Sequence, residues 1–295
     1  MPKKKKLTII AFLTAFGSEA ACSTYLHQLR WPQGFVCPHC GCTVGYTLHD
    51  GHDQCANCRH QTSLTAGTVM HRSHLPLTKW FLAFYLVSQD KRGISAVQLA
   101  RQVGTTYKTA WYLLKRIRVA MGQRDETHKL SGIVEFDDTY IGAPTTGQKR
   151  GRGTAKSKIF VALSLDEKGR PQHLKMKVTE NIKSASVKKF ALAGIEKGAT
   201  IRSDGYRSYP AALTDFTHEA GIYDPDGGLL HWLHIMVGNA KAFVLGTYHG
   251  LSKEYLQSYL DEFCCRFSRR FFEGDLFGQL TLAVASSNCV ADLKG

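Results

Sequence analysis

Four cysteines constrain this chain more than any other feature. In FVCPHCGCTVGYTLHDGHDQCANCRH, Cys37 and Cys40 are parted by two residues, as are Cys55 and Cys58, and fourteen residues separate the pairs. A C-x2-C turn presents two thiolates to one ion, and two such turns complete the tetrahedral sulfur shell that structural zinc favours. The intervening YTLHDGHDQC predicts a β-hairpin, so residues 31–72 are expected to fold as a zinc ribbon. Because thiols fill all four positions, this zinc would hold a fold and leave no open position for catalysis. Cys42, beside the first pair, could compete as a ligand; His39, His49, His52 and His60 read as solvated. The chain has nine cysteines in all. An odd number does not make a secreted disulfide framework, and the thiols call for a reducing compartment.

Around this module the chain divides into blocks. Residues 1–30 read as short helices, with Phe12, Phe16, Leu26 and Leu29 on one face of an amphipathic helix and Ser18 and Glu19 able to open a second turn. The basic and then apolar start imitates a leader, but the helical reading is preferred. No stretch approaches the roughly 18 apolar residues of a membrane span, which points to a cytoplasmic protein without a membrane partner. Residues 75–125 are helical. In GISAVQLARQVGTTYKTAW, Ser95 can cap a helix burying Val97, Ala100 and the stem of Arg101. A turn at 103–105 then leads to a second helix with Tyr107, Ala110, Trp111, Leu114, Ile117 and Met121 on one stripe. A helix-turn-helix is plausible, with Thr105, Thr106, Lys108 and Thr109 facing a DNA groove. Charge agrees: 38 Lys and Arg against 24 Asp and Glu give +14, which suits a polyanion.

From residue 131 strands alternate with helices. VEFDDTYIG (134–142) places two acids inside a strand-like run, although strands avoid Asp. Alternation puts Glu135, Asp137 and Thr139 on one face and Phe136, Asp138 and Tyr140 on the other. ATIRSDGYRSYP (199–210) is a second strand ending at Asp204. Two aspartates on adjacent strands can hold Mg²⁺, which prefers hard oxygen donors and retains water and phosphate oxygens in its shell. Such ions support in-line phosphoryl displacement. Asp204 alone also reads as an ordinary turn residue before Gly205. The loop APTTGQKRGRGTAKSK, carrying Lys149, Arg150 and Arg152, is either a connector or a phosphate-contacting arm. Glu262 is expected to pack structurally or pair with Arg266 one turn on.

Taken in order, CPHC…CANCRHQTSLTAGTVMH, WFLAFYL, GISAVQLAR, YKTAW, VEFDDTYIG, IRSDGY and GTYHGLSKEYLQSYLDEFCCRFSRR resemble the zinc-ribbon DDE transposases of bacterial insertion sequences, from about residue 8 to 280. The resemblance implies an α/β ribonuclease H-like catalytic domain over 131–285, a mixed sheet flanked by helices, preceded by the ribbon and the helix-turn-helix. It implies double-stranded DNA as partner, both element ends and target, with Mg²⁺ or Mn²⁺ for cleavage and strand transfer, and a homodimer in the DNA complex. The first catalytic acid falls on Asp137 and the second on Asp204. The third position, a Glu or in some branches an Asn, lies on a helix before GTYHG, where this chain has HWLHIMVGNAKAFVL and no carboxylate. Asn239 matches the Asn-bearing branch and is the expected third ligand, with Lys241 contacting phosphate; His234, seven residues before Lys241, occupies the place of the Glu. The role of Asp138 stays open. The missing carboxylate also leaves room for a DNA-binding regulator with an inactive site.

Overall fold

The computed structural model describes residues 7–142, 154, 156–221, 228–248, 251–270 and 276–287. The chain forms two compact units, residues 1–124 with 272–295, and residues 125–271.

In the first unit, α1 (Ile9–Phe16) and α2 (Glu19–Arg30) are each opened by a hydroxyl cap, Thr8 accepting from the Ala11 amide and Ser18 from that of Ala21. The ribbon follows as an antiparallel sheet of β1 (Gly45–Thr47), β2 (Asp53–Cys55) and β3 (Gln61–Thr62). Then come α3 (Leu77–Gln89), α4 (Ala96–Val103) and α5 (Tyr107–Glu126). Ser95 caps α4 as its sequence predicts, accepting from the Gln98 amide. The buried face differs from expectation: Leu99, Ala100 and Val103 are buried, whereas Val97 is 48% and Tyr107 58% exposed. Leu99, the largest apolar residue of α4, sets the inward direction, and Val97 lies two residues, about 200°, away from it. Gly104 ends α4 in the left-handed conformation at φ 66°, where any other residue would be strained.

The second unit is a five-stranded sheet in the order β6-β5-β4-β7-β8. β4 (Ile133–Ile141), β5 (Ser157–Leu165) and β6 (Pro171–Thr179) form an antiparallel meander, and β7 (Thr200–Asp204) and β8 (Thr217–Gly221) run parallel to β4. On one face α6 (Ser184–Gly194) and α7 (Ser208–Ala212) cover Val134, Phe136, Phe160 and Ile201. On the other, α8 (His231–Tyr248) and α9 (Leu256–Ser268) cover Ile141, Val161, Leu163 and Met176. This is the ribonuclease H-like mixed sheet between helical layers. Edge strand β6 is shielded by Gln257 of α9, which accepts from the Val178 amide at 2.8 Å and donates to Met176 O at 3.0 Å, so its free polar groups do not invite another strand. Glu262 and Arg266 do pair one turn apart, at 2.7 Å and buried to 1% and 9% exposure.

The C-terminus departs from the sequence reading. Helix α10 (Leu276–Ser286) belongs to the first unit rather than to the sheet unit. Phe277 meets Phe12, Phe16, Tyr25 and Phe81 at ring separations of 5.2 to 6.5 Å, and the Tyr25 and Thr281 hydroxyls lie 3.5 Å apart. Such aromatic contacts close a core from chain segments more than 250 residues apart. Among the described residues no single helix is long and apolar enough to cross a membrane.

Glu19 has two functions in this unit. It lies in the first turn of α2 and accepts from the Leu77 and Thr78 amides at 2.9 and 2.7 Å, capping α3, where Pro76 offers no side-chain cap. Burial opposes its charge, but the Thr78 hydroxyl and the two amides outweigh burial and hold its pKa below 4.5. A depressed carboxylate pKa contributes stability above the unfolded value that is lost as pH falls. Glu19→Ala is expected to lower stability by about 1 kcal/mol at neutral pH, with the deficit against the parent vanishing in denaturant titrations carried well below pH 4.5.

Candidate active site and metal centre

The ribbon builds its thiol cluster from two matching turns. The Cys37 amide donates to Cys42 O and that of Gly41 to Cys37 O; the Cys55 amide donates to His60 O and that of Arg59 to Cys55 O. The residue after each second cysteine, Gly41 at φ 72° and Arg59 at φ 57°, is left-handed. Both turns therefore aim their thiols inward. The four Sγ atoms lie within 4.8 Å of one another, with Cys37–Cys58 at 3.6 Å and Cys40–Cys55 at 3.5 Å. A tetrahedron with Zn–S bonds of about 2.3 Å has edges of roughly 3.8 Å, so the donor set fits zinc, and the thiols are not disulfide-bonded. The Cys58 amide donates to Cys55 Sγ at 3.5 Å, which favours the thiolate a metal requires. Cys42 lies outside the cluster, turned onto the backbone of Val44. His39 stacks on His60 at 5.4 Å.

The acids lie on the sheet. The parallel register ends at Phe136 opposite Ser203, which makes Asp137 and Asp204 the next residues on neighbouring strands about 4.8 Å apart. Their side chains share the face covered by α8, and both are partly buried. Local amides orient them: that of Asp138 donates to Asp137 Oδ1 at 2.7 Å and that of Tyr206 to Asp204 Oδ1 at 3.2 Å. Asp138 points to the opposite face, where it accepts from the Tyr209 hydroxyl at 2.8 Å. Burial first, then the charges of Asp138, Asp137 and Asp204, push the Tyr209 phenol far above its ordinary value, so it stays a donor.

On α8, His234 and Lys241 lie two turns apart and within about 20° of one another around the helix. Burial lowers the pKa of His234, and the nearby Asp204 charge opposes that fall. Lys241 is lowered by burial and then by Lys156, a second cation at this end of the sheet that sequence reasoning did not single out. Asn239, exposed like His234, lies about 140° from it, on the other flank of the helix. The structure thus brings His234 near Asp204 and Lys241, with Asn239 on the other flank of α8.

The expected DNA-contacting residues behave differently from one another. Thr106 caps α5, accepting from the Thr109 amide at 3.2 Å. Lys108 is exposed, while Thr105 Oγ1 is buried without a hydrogen-bond partner. Lys149, Arg150 and Arg152 lie outside the described residues.

Two measurements follow from this geometry. Chelation of the metal is expected to unfold the ribbon, seen as loss of amide protection over 45–62, with one zinc released per chain and the sheet unit retained. Tyr209→Phe, which removes a donor to a partly buried carboxylate, is expected to cost about 1–3 kcal/mol in denaturant unfolding.

Known proteins match these units. The family profile described as the ISXO2-like transposase domain matches residues 129–268, close to the limits of the sheet unit. The transposase zinc-ribbon domain matches residues 17–61. An uncharacterized protein in transposable element ISH50 of Halobacterium salinarum is 28% identical over 279 residues, 86% of this chain and 92% of that protein. That relative is archaeal, so the kinship is not restricted to bacterial elements as the sequence reading had it. A simian T-cell lymphotropic virus intasome in complex with PP2A regulatory subunit B56 gamma matches with 14% identity and a TM-score of 0.30, over 61% of this chain and 64% of its own, less than two thirds of its length. A pre-cleavage Mos1 transpososome matches with 15% identity and a TM-score of 0.28, over 70% and 78%. Ribbon, sheet unit and relative together identify the chain as a member of the zinc-ribbon, DDE-type insertion-sequence transposases.

Proposed function

We propose that this transposase cleaves double-stranded DNA at the ends of its element and joins the freed 3′ ends to target DNA, using Asp137 and Asp204 as ligands of Mg²⁺ or Mn²⁺. The observation that carries the reading is the placement of the two carboxylates side by side on adjacent parallel strands beneath α8. Two hard carboxylates suit a divalent ion that keeps water and phosphate oxygens in its shell. Bound there, the ion supplies Lewis acidity at the scissile phosphate and a more acidic water. Asp137 and Asp204, held oriented by the Asp138 and Tyr206 amides, would hold the ion where the scissile phosphate arrives. Lys241 neutralises phosphate charge from α8. Hydrolysis leaves a 3′-hydroxyl on the element end; that hydroxyl then displaces a target 3′ oxygen, and one phosphodiester bond is exchanged for another.

The third ligand in this reading is His234 rather than Asn239. Its nearness to Asp204 supports the assignment, as does its shared flank with Lys241. The groove-reading role falls to the start of α5, above all the exposed Lys108, with Lys149, Arg150 and Arg152 as further phosphate contacts and a homodimer pairing two ends. An inactive DNA-binding regulator is the second reading, favoured by the absence of a carboxylate on α8.

The test incubates the protein with Mg²⁺ or Mn²⁺ and DNA carrying the element's terminal sequences. Cleavage at the 3′ ends and joining are expected, abolished by Asp137→Asn without loss of end binding. His234→Ala is expected to reduce the rate by about a hundredfold or more, and Asn239→Ala to leave it near parental. End binding with no cleavage by the unaltered protein supports the regulator instead.

A further inference from the structure

Glu135 lies two residues before Asp137 on β4, on the same face, and only 6% of it is exposed. Its Oε2 accepts the Leu233 backbone N–H at 2.8 Å, across 98 residues of sequence. Leu233 lies in the first turn of α8 and immediately precedes His234. A helix start needs acceptors for its free amides and favours negative charge. The three residues before α8, Gly228, Leu229 and Leu230, carry no polar side chain that could serve. Leu230 is moreover buried and left-handed at φ 56°, a conformation that persists in a bulky residue only when its surroundings impose it. The cap thus comes from the catalytic strand itself.

Its neighbours explain how a buried carboxylate is tolerated. Glu135 faces Arg202 across the strand pair, and Arg202 in turn faces Glu219 and binds it at 2.8 Å. Burial raises the pKa of Glu135, while the Leu233 amide, His231 and Arg202 oppose that rise. A local serine or aspartate would cap α8 more cheaply, since removing a carboxylate from water costs several kcal/mol. What a local cap cannot do is tie the helix to the strand carrying Asp137.

We propose that Glu135 is the positioning residue of the active site: its hydrogen bond to Leu233 fixes the first turn of α8 on β4 and thereby sets His234 beside Asp204. The inference rests on the reading of Asp137, Asp204 and His234 as the metal-binding set. Glu135 touches neither metal nor DNA; it decides where the third ligand stands.

The experiment compares the parent, Glu135→Gln and Glu135→Ala in the full chain. Mn²⁺ binding is followed by titration calorimetry, exchange of the Leu233 and His234 amides by hydrogen exchange, and cleavage of end DNA as a function of Mg²⁺ concentration. Glu135→Gln retains an acceptor oxygen and is expected to stay within a fewfold of the parent in all three. Glu135→Ala is expected to lose protection at Leu233 and His234 and to bind Mn²⁺ about 10–100-fold more weakly. Its half-maximal Mg²⁺ concentration should rise in parallel, with end binding kept. Should Glu135→Ala misfold, exchange at Leu233 and His234 in Glu135→Gln decides, since the positioning bond requires these amides to remain protected there. Parental metal binding in a folded Glu135→Ala, or unprotected Leu233 and His234 amides in the parent, overturns the proposal. Asp137→Asn in the same assays separates the two levels: full activity and Mn²⁺ binding in that variant would sink the catalytic reading itself, whereas its inactivity beside a parental Glu135→Ala sinks only the role of Glu135.

Discussion

The register of β4 against β7 governs the sheet unit. Val134 opposite Ile201 and Phe136 opposite Ser203 bring Asp137 level with Asp204 at the ends of two parallel strands. Because side chains alternate, a slip of one residue would turn every side chain to the other face. Such a slip would drive Val134 and Phe136, both fully buried with Tyr209 and Leu213, out of their core. It would also send Glu135 away from the Leu233 amide. The two faces therefore hold the same register for different reasons, one by apolar burial and the other by charge and a helix cap. The site inherits its precision from that agreement.

The thiol cluster and the acid pair differ in kind because their surroundings do. The ribbon cluster is soft and closed: four thiols converge within 4.8 Å, made by backbone turns of a few residues each, and it needs no distant partner. The acid pair is hard and open, and it draws on β4, β7 and α8, which are separated by long stretches of chain. Closure suits a structural ion and openness one that shares its shell with substrate.

That difference decides what could be read from the sequence. The ribbon was legible because its ligands, spacing and hairpin all lie within 26 residues of one another. Alternation along VEFDDTYIG likewise gave the two faces correctly, and the one-turn spacing of Glu262 and Arg266 anticipated a buried pair. Readings that needed distant packing fared worse. Nothing local says that α10 returns to the N-terminal helices, since the aromatic partners of Phe277 lie at Phe12, Phe16, Tyr25 and Phe81. Nor could the sequence choose between the flanks of α8: its apolar residues define the buried stripe, but which side of that stripe meets Asp204 depends on how the helix lies on the sheet. The cap from Glu135 to Leu233 was hidden for the same reason.

The paired acids of β4 show how one strand serves two tasks. Asp137 faces α8, whereas Asp138 faces α7 and is engaged by Tyr209. The phenol is fully buried and kept protonated by burial and by the three neighbouring acids, so it donates to Asp138 throughout the working pH range. That bond ties α7 to the catalytic strand from below, as the Leu233 amide ties α8 to it from above. Of the three acids at 135, 137 and 138, Glu135 and Asp138 thus anchor the strand to a helix on either face. In the proposed function, a strand held on both faces by buried hydrogen bonds would present the Asp137 carboxylate to a cation and a phosphate without first having to order it.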